Sequence, residues 1–206
     1  MKPNHSSLTL LLAAALLGLT AARAAETPPA PLAGPTGLLG QTYADLTYSY
    51  IDRDHTSSHT DGYHFEGSEP VNANLDGLLL YDWMQSGSGS RQQSLAAALR
   101  AFCPATPWGK PYVEGSAGYT WAKVGGVKDN SFLWGAEAGV EFQTATAVTV
   151  TPYVKYTDAP SLASGSAWNI GARANYWVNS KWAITGGIAR DDHHQTSFTI
   201  GTNFRY

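Results

Sequence analysis

The chain has 206 residues and a formal net charge of −3, with 43% hydrophobic, 12% aromatic and only 14% charged residues. No basic stripe is present, which argues against nucleic acid as a partner. Cys103 is the sole cysteine, so an internal disulfide is excluded, and after the first 25 residues no stretch reaches the roughly 18 apolar residues of a spanning helix.

Residues 1–24 read as an export signal. Lys2 supplies a positive start, residues 8–19 (LTLLLAAALLGL) form a short apolar core, and Ala22-Arg23-Ala24 fits a small-x-small cleavage pattern. The core is short for a membrane anchor. Residues 25–39 are a Pro-rich lead-in, with four Pro in ETPPAPLAGPTG, expected to be extended and without a fold of its own. Residues 40–206 form the folded domain.

From Gln41 onward the apolar period is two almost everywhere, and no amphipathic helix emerges. Strands are expected over 41–52, 61–69, 75–83, 91–103, 112–123, 132–142, 148–157, 166–178, 181–191 and 198–206. Leu46, Tyr48 and Tyr50 share one face of the first, against Asp45, Thr47 and Ser49. In the second, Tyr63 and Phe65 oppose His64 and Glu66. The third sets Leu79, Tyr81 and Trp83 against Asp76 and Asp82, with Leu78 and Leu80 breaking the polar side. The fourth sets Leu95, Ala97 and Leu99 against Ser94 and Arg100. Tyr119 and Trp121 oppose Glu114 in the fifth; Phe132, Trp134 and Phe142 oppose Glu137 and Glu141 in the sixth. Val150, Val154 and Tyr156 then oppose Lys155, and Trp168, Ile170 and Tyr176 oppose Asn169, Arg173 and Asn175. Trp182, Ile184 and Ile188 share a face of the ninth. In the last, Phe198, Ile200, Phe204 and Tyr206 oppose Thr199, Gly201, Asn203 and Arg205.

The apolar faces begin or end on rings. Trp and Tyr favour membrane–water boundaries, and strands of roughly 9–11 residues suit tilted membrane crossings. Connections at 104–110, 143–146 and 178–181 read as short turns. Those at 52–60, 85–90, 123–131 and 158–165 read as mostly longer loops, the asymmetry expected between the periplasmic and outer sides. The pattern predicts an all-β, closed, antiparallel up-and-down transmembrane β-barrel. Both ends of the domain on the periplasmic side require an even strand number. Ten is the count read here. Gly62, Gly67 and Pro70 weaken the second strand, which leaves eight as the alternative. Hydrocarbon offers no hydrogen-bond partner to an open edge, so the last strand must pair with the first.

Four stretches carry a family likeness: PYVEGSAGY at 111–119, GAEAGVEF at 135–142, YWVNSKW at 176–182 and GTNFRY at 201–206. With them the domain resembles the small outer-membrane β-barrels, including the outer membrane protein A barrel. The resemblance implies an outer-membrane location, lipid around the barrel, and recognition of the closing strand by the barrel assembly machinery. Phe204 and Tyr206 match the aromatic assembly signal, although Phe is the more typical last residue.

The inward set includes Asp45, Glu66, Asp76, Asp82, Arg100, Glu114, Glu137, Glu141, Lys155, Arg173 and Arg205. Both signs share a narrow lumen, which predicts a structural network of ion pairs and water. The inward glycines Gly135, Gly139, Gly171 and Gly187 leave the lumen volume open. His55 and His59, with His64 beside them, and His193 and His194 belong to the first and last outer loops, which closure makes neighbours. With nearby Asp52, Asp54, Asp61, Asp191 and Asp192 they form a candidate zinc or copper site. No tight metal motif is present. The expectation is a monomer without a cofactor, with a structural or surface-interaction role and no enzymatic activity. The alternatives are a narrow channel for ions or small polar solutes and a rim-sited Asp/His hydrolase; a pairing of His193 with Ser197 would require fortunate geometry.

Overall fold

The computed structural model describes residues 37–53, 59–103, 109–162 and 165–206. The export segment, the lead-in up to residue 36 and His55 lie outside the described residues.

Ten strands follow one another: β1 Tyr43–Arg53, β2 His59–Asn72, β3 Leu75–Ser86, β4 Arg91–Phe102, β5 Lys110–Val124, β6 Val127–Ala145, β7 Val148–Ala159, β8 Gly165–Trp177, β9 Trp182–Asp191 and β10 Gln195–Arg205. Each is antiparallel to its sequence neighbours, and β1 closes on β10 with Tyr43 opposite Arg205 and Arg53 opposite Gln195. Closure leaves no sheet edge through the spanning part of the wall.

The eight-strand alternative is overturned. β2 is paired to β1 from His59 to Ser68 and to β3 from Thr60 to Asn72. Gly62 and Gly67 cost local propensity, but two flanking ladders hold the strand. The register irregularity between Pro70 and Asn72 falls at the strand's end, where a missing N–H matters least.

Burial is the reverse of that in a soluble protein. Leu46, Leu79, Leu99, Val113, Ile170 and Ile200 are more than half exposed, while Glu66, Asp76, Arg100, Glu114 and Glu137 are buried. Such a continuous outer apolar surface far exceeds the patches that soluble monomers carry, and it matches a wall surrounded by hydrocarbon. Rings cluster at two levels. Towards one end lie Tyr48–Tyr63–Trp83, with centroids 5.5 and 5.6 Å apart. Trp134–Tyr156–Trp168 lie at the same end, 5.2 and 4.9 Å apart. At the other end Trp182, Phe204 and Tyr206 stack in series at 4.6 and 5.9 Å. Phe204 and Tyr206 therefore face outward in an aromatic belt.

The expected difference in loop length is not found at the 123–131 connection. That stretch is a hairpin: β5 and β6 run on to a two-residue turn at Gly125 and Gly126, with φ of 58° and 89°. Two successive positive φ values define the mirror-image turn that matches strand twist, and glycine adopts them without a Cβ penalty. The pair Val124–Val127 closes the ribbon. β7 pairs with β6 only from Trp134 onward, so the ribbon's outer part stands beyond its neighbour.

The lumen as candidate functional site

Inward positions of all ten strands converge on one interior. Arg100 of β4, opposite Asp76 of β3, gathers several of them. Its Nε donates to Glu114 Oε2 at 2.9 Å and its guanidinium to Tyr43 Oη at 2.8 Å and Glu66 Oε1 at 3.0 Å. Tyr43, only 1% exposed, in turn donates to Glu66. Glu66 also faces His64, whose Nδ1 meets Asp82 Oδ1 at 2.7 Å. On β6, directly beside Glu114, Glu137 accepts from Tyr112 Oη at 2.6 Å and pairs with Arg173. The Arg100 guanidinium lies 5.5 Å from the Tyr112 ring, which joins the two groups, and Arg173 lies 4.5 Å from the Tyr153 ring. In this low-dielectric setting every carboxylate named here has a donor, as buried charge requires.

Of the residues expected in the lumen, Glu114, Glu137, Glu141, Arg173 and Arg205 make hydrogen bonds or ion pairs, together with residues the sequence reading did not single out. Tyr43, Tyr112 and Tyr153 turn inward, as their parity with Asp45, Glu114 and Lys155 requires. The inward glycines seat two of them. Gly139 sits opposite Tyr112 and Gly171 opposite Tyr153. A Cβ on Gly139 would stand 2.7 Å from the Tyr112 ring, and one on Gly171 2.8 Å from Tyr153 Cζ. The glycines thus make room for rings leaning across from the next strand, and those rings occupy lumen space. Replacing Gly139 with Val is expected to push Tyr112 off Glu137 and destabilise the barrel by about 1–3 kcal/mol, read from its urea midpoint in lipid. Leu78 and Leu80, which interrupt the polar pattern of β3, pack on Ala96 and Ala98 of β4.

Near Tyr43 and Arg205 the lumen has a floor. Residues 37–40, the end of the expected unfolded lead-in together with Gly40, fold into the barrel mouth. The Leu38 N–H donates to Glu141 Oε2 at 2.6 Å, and the Gly40 N–H donates to Asp76 Oδ2 at 3.0 Å. Arg205 donates to the Gly37 carbonyl and lies 3.6 Å from the Trp177 ring centroid. Leu39 is 4% exposed. Glu141 and Arg205 are therefore hooks for this segment as well as lumen charges, and Lys110 Nζ lies 3.9 Å from Glu141. Above the floor lies a cavity of about 380 Å³, lined among others by Lys155, Asp45, Asn169 and Thr157.

The described histidines have different partners. His64 points into the lumen, not to the rim. His59 stacks on Tyr50 at 5.3 Å and lies 3.5 Å from Asp61. His193 lies 3.1 Å from Asp192, and His194 takes a positive φ of 64° in the β9–β10 turn. Asp191 Oδ1 accepts from the Gln195 N–H at 2.7 Å and Asp192 Oδ1 from the Trp168 N–H at 3.1 Å. These two carboxylates shape the turn and tie it to β8. Among the described residues no three of His, Cys, Asp and Glu converge as a metal set. Ser197 donates to the Ala189 carbonyl at 3.5 Å, so it and His193 have different partners.

An apolar exterior, two aromatic belts, a closed ten-strand wall and a charged interior define a transmembrane β-barrel. No family model and no curated protein matches the chain. Among solved structures, the translocator domain of the autotransporter NalP from Neisseria meningitidis is 9% identical, with 98% of this chain and 97% of that one covered at a TM-score of 0.53. The NanC porin is 10% identical over 79% of this chain and 100% of its own, TM-score 0.48. Neisserial surface protein A is 12% identical over 80% and 96%, TM-score 0.43. The likeness to the NalP domain is one of fold, and nothing in the comparisons ties the chain to the outer membrane protein A branch.

Proposed function

We propose that the protein is an integral outer-membrane barrel with a structural or surface-interaction role and no enzymatic activity. The end carrying Tyr43 and Arg205 faces the periplasm, and lipid surrounds the wall. The observation that carries this reading is the crossing of the lumen by Arg100 with Tyr43, Glu66 and Glu114, above a floor made by residues 37–40. A continuous diffusion path needs a wider interior, which larger strand numbers supply. The rim pair Asp192–His193 is engaged in turn structure, which supports a non-catalytic role. Phe204 and Tyr206 serve as the signal for the assembly machinery.

Purified full-length protein in planar bilayers tests the closed lumen. The wild type is expected to show no steady conductance. The double substitution Asp76→Ala/Glu141→Ala removes two acceptors for residues 37–40 and is expected to produce discrete openings. Steady wild-type conductance would instead support the narrow channel, which the cavity of about 380 Å³ favours as a second reading.

A further inference from the structure

Three cations lie side by side across three strands on the outer face of the barrel. Arg91 of β4 pairs with Lys123 of β5, and Lys123 pairs with Lys128 of β6. All three are exposed. Parity places them on the lipid-facing side: Arg91 follows the series of Leu95 and Leu99, Lys123 that of Tyr119 and Trp121, and Lys128 that of Phe132 and Trp134. Lys123 lies one outward position beyond Trp121, and Lys128 two beyond Phe132, so the row begins where the aromatic belt ends. The Arg91 guanidinium lies 5.8 Å from the ring centroid of Trp83, a member of that belt.

Directly opposed like charges destabilise a sheet. The row continues on the other side into Gln85 and then Asp61. Asp61 is separated from Arg91 by a strand and accepts from Tyr48 Oη at 2.5 Å. Asp129 alternates to the other face of the ribbon and accepts from the Asn130 N–H at 2.8 Å. No carboxylate among the described residues forms an ion pair with Arg91, Lys123 or Lys128. A row at headgroup height, facing lipid and rich in uncompensated positive charge, has a natural complement in an anionic headgroup layer.

We propose that Arg91, Lys123 and Lys128 dock the phosphates of lipid headgroups in the outer leaflet. The proposal rests on the membrane reading above. The guanidinium offers a fork to phosphate oxygens and the two ammonium groups act as point charges. The projecting β5–β6 ribbon carries Lys128 beyond the last paired residue of β7, which leaves that side of the row open to approach.

The test uses the full-length protein folded in neutral detergent micelles, where binding does not depend on membrane orientation. Native mass spectrometry would measure retention of bis-phosphorylated lipid A, of its dephosphorylated form and of inorganic phosphate. The wild type is expected to retain the phosphorylated lipid and to lose it as ionic strength rises. Arg91→Gln/Lys123→Gln/Lys128→Gln is expected to weaken retention by roughly tenfold or more, and Lys123→Arg/Lys128→Arg to keep it. Lys181→Gln, at the opposite end, is expected to leave it unchanged. Equal retention by the triple variant and the wild type, equal retention of the dephosphorylated lipid, or capture of inorganic phosphate alone would each overturn the proposal. Heat-modifiable gel migration of each variant checks folding. Failure of any form to insert into lipid would defeat the membrane reading, a result separate from loss of phosphate selectivity.

Discussion

Replacing Arg100 with Met is expected to destabilise the folded barrel by about 3–5 kcal/mol, measured as reversible urea unfolding in lipid bilayers. The size follows from what remains behind. Glu66, Glu114 and the Tyr43 hydroxyl all use the one guanidinium, and each is buried. Removing the cation leaves two carboxylates in a narrow interior with less compensation, which costs more than the intact cluster contributes. The triple substitution Arg100→Met/Glu66→Gln/Glu114→Gln removes the charges together and is expected to recover most of the loss. A loss below about 1 kcal/mol for Arg100→Met, the range of a solvated surface pair, would show that water screens the lumen and that the cluster is not a buried one.

A second large effect is expected outside the wall. Leu79 is 52% exposed on the outward face of β3, with Gly67 and Ala97 opposite it on the neighbouring strands. Leu79→Arg is expected to cost about 2–4 kcal/mol in the same lipid assay, the penalty for a cation on a barrel's lipid face near the midplane. In water the substitution would be nearly silent or favourable, because an exposed Leu loses little on becoming Arg. The sign therefore separates a lipid-facing surface from a water-facing one. Moving the Arg along the strand to Gln85, beyond Trp83, is expected to bring the cost close to zero.

Strand number and facing were legible because alternation is a strict geometric rule. Tyr119 and Trp121 could only share a face with Leu-bearing neighbours of like parity, and Glu114 had to oppose them. The parts that sequence did not reveal depend on contacts across strands. Tyr112 and Tyr153 carry parity that points inward, yet their seats opposite Gly139 and Gly171 appear only once the register is known. The 123–131 segment looked like a Gly-bearing outer loop. Its Gly125-Gly126 pair is a tight-turn signal, and the strands extend past the membrane because hairpin pairing does not stop at the lipid boundary.

His64 lies near His55 and His59 in sequence, but the alternation that sets it with Glu66 turns it inward onto Asp82 and Glu66. The floor was invisible for another reason. Leu38 and Gly40 dock through backbone N–H groups, which every residue but Pro possesses, so composition could mark the segment only as extended. Glu141 and Arg205 were recognised as lumen charges, but their second role as hooks needed the fold.

The arrangement of lipid outside and polar groups inside is tested most directly on β8. Single cysteines at residues 168, 169, 170, 172, 174, 175 and 176, in a Cys103→Ser background, would be spin-labelled and reconstituted into lipid bilayers. Collision with oxygen, which concentrates in hydrocarbon, would then be compared with collision with a water-soluble nickel chelate. Ile170, Ala172 and Ala174 are expected to give oxygen maxima, with minima at Asn169 and Asn175. Oxygen maxima at Asn169 and Asn175, or nickel contact at Ile170, Ala172 and Ala174, would contradict it.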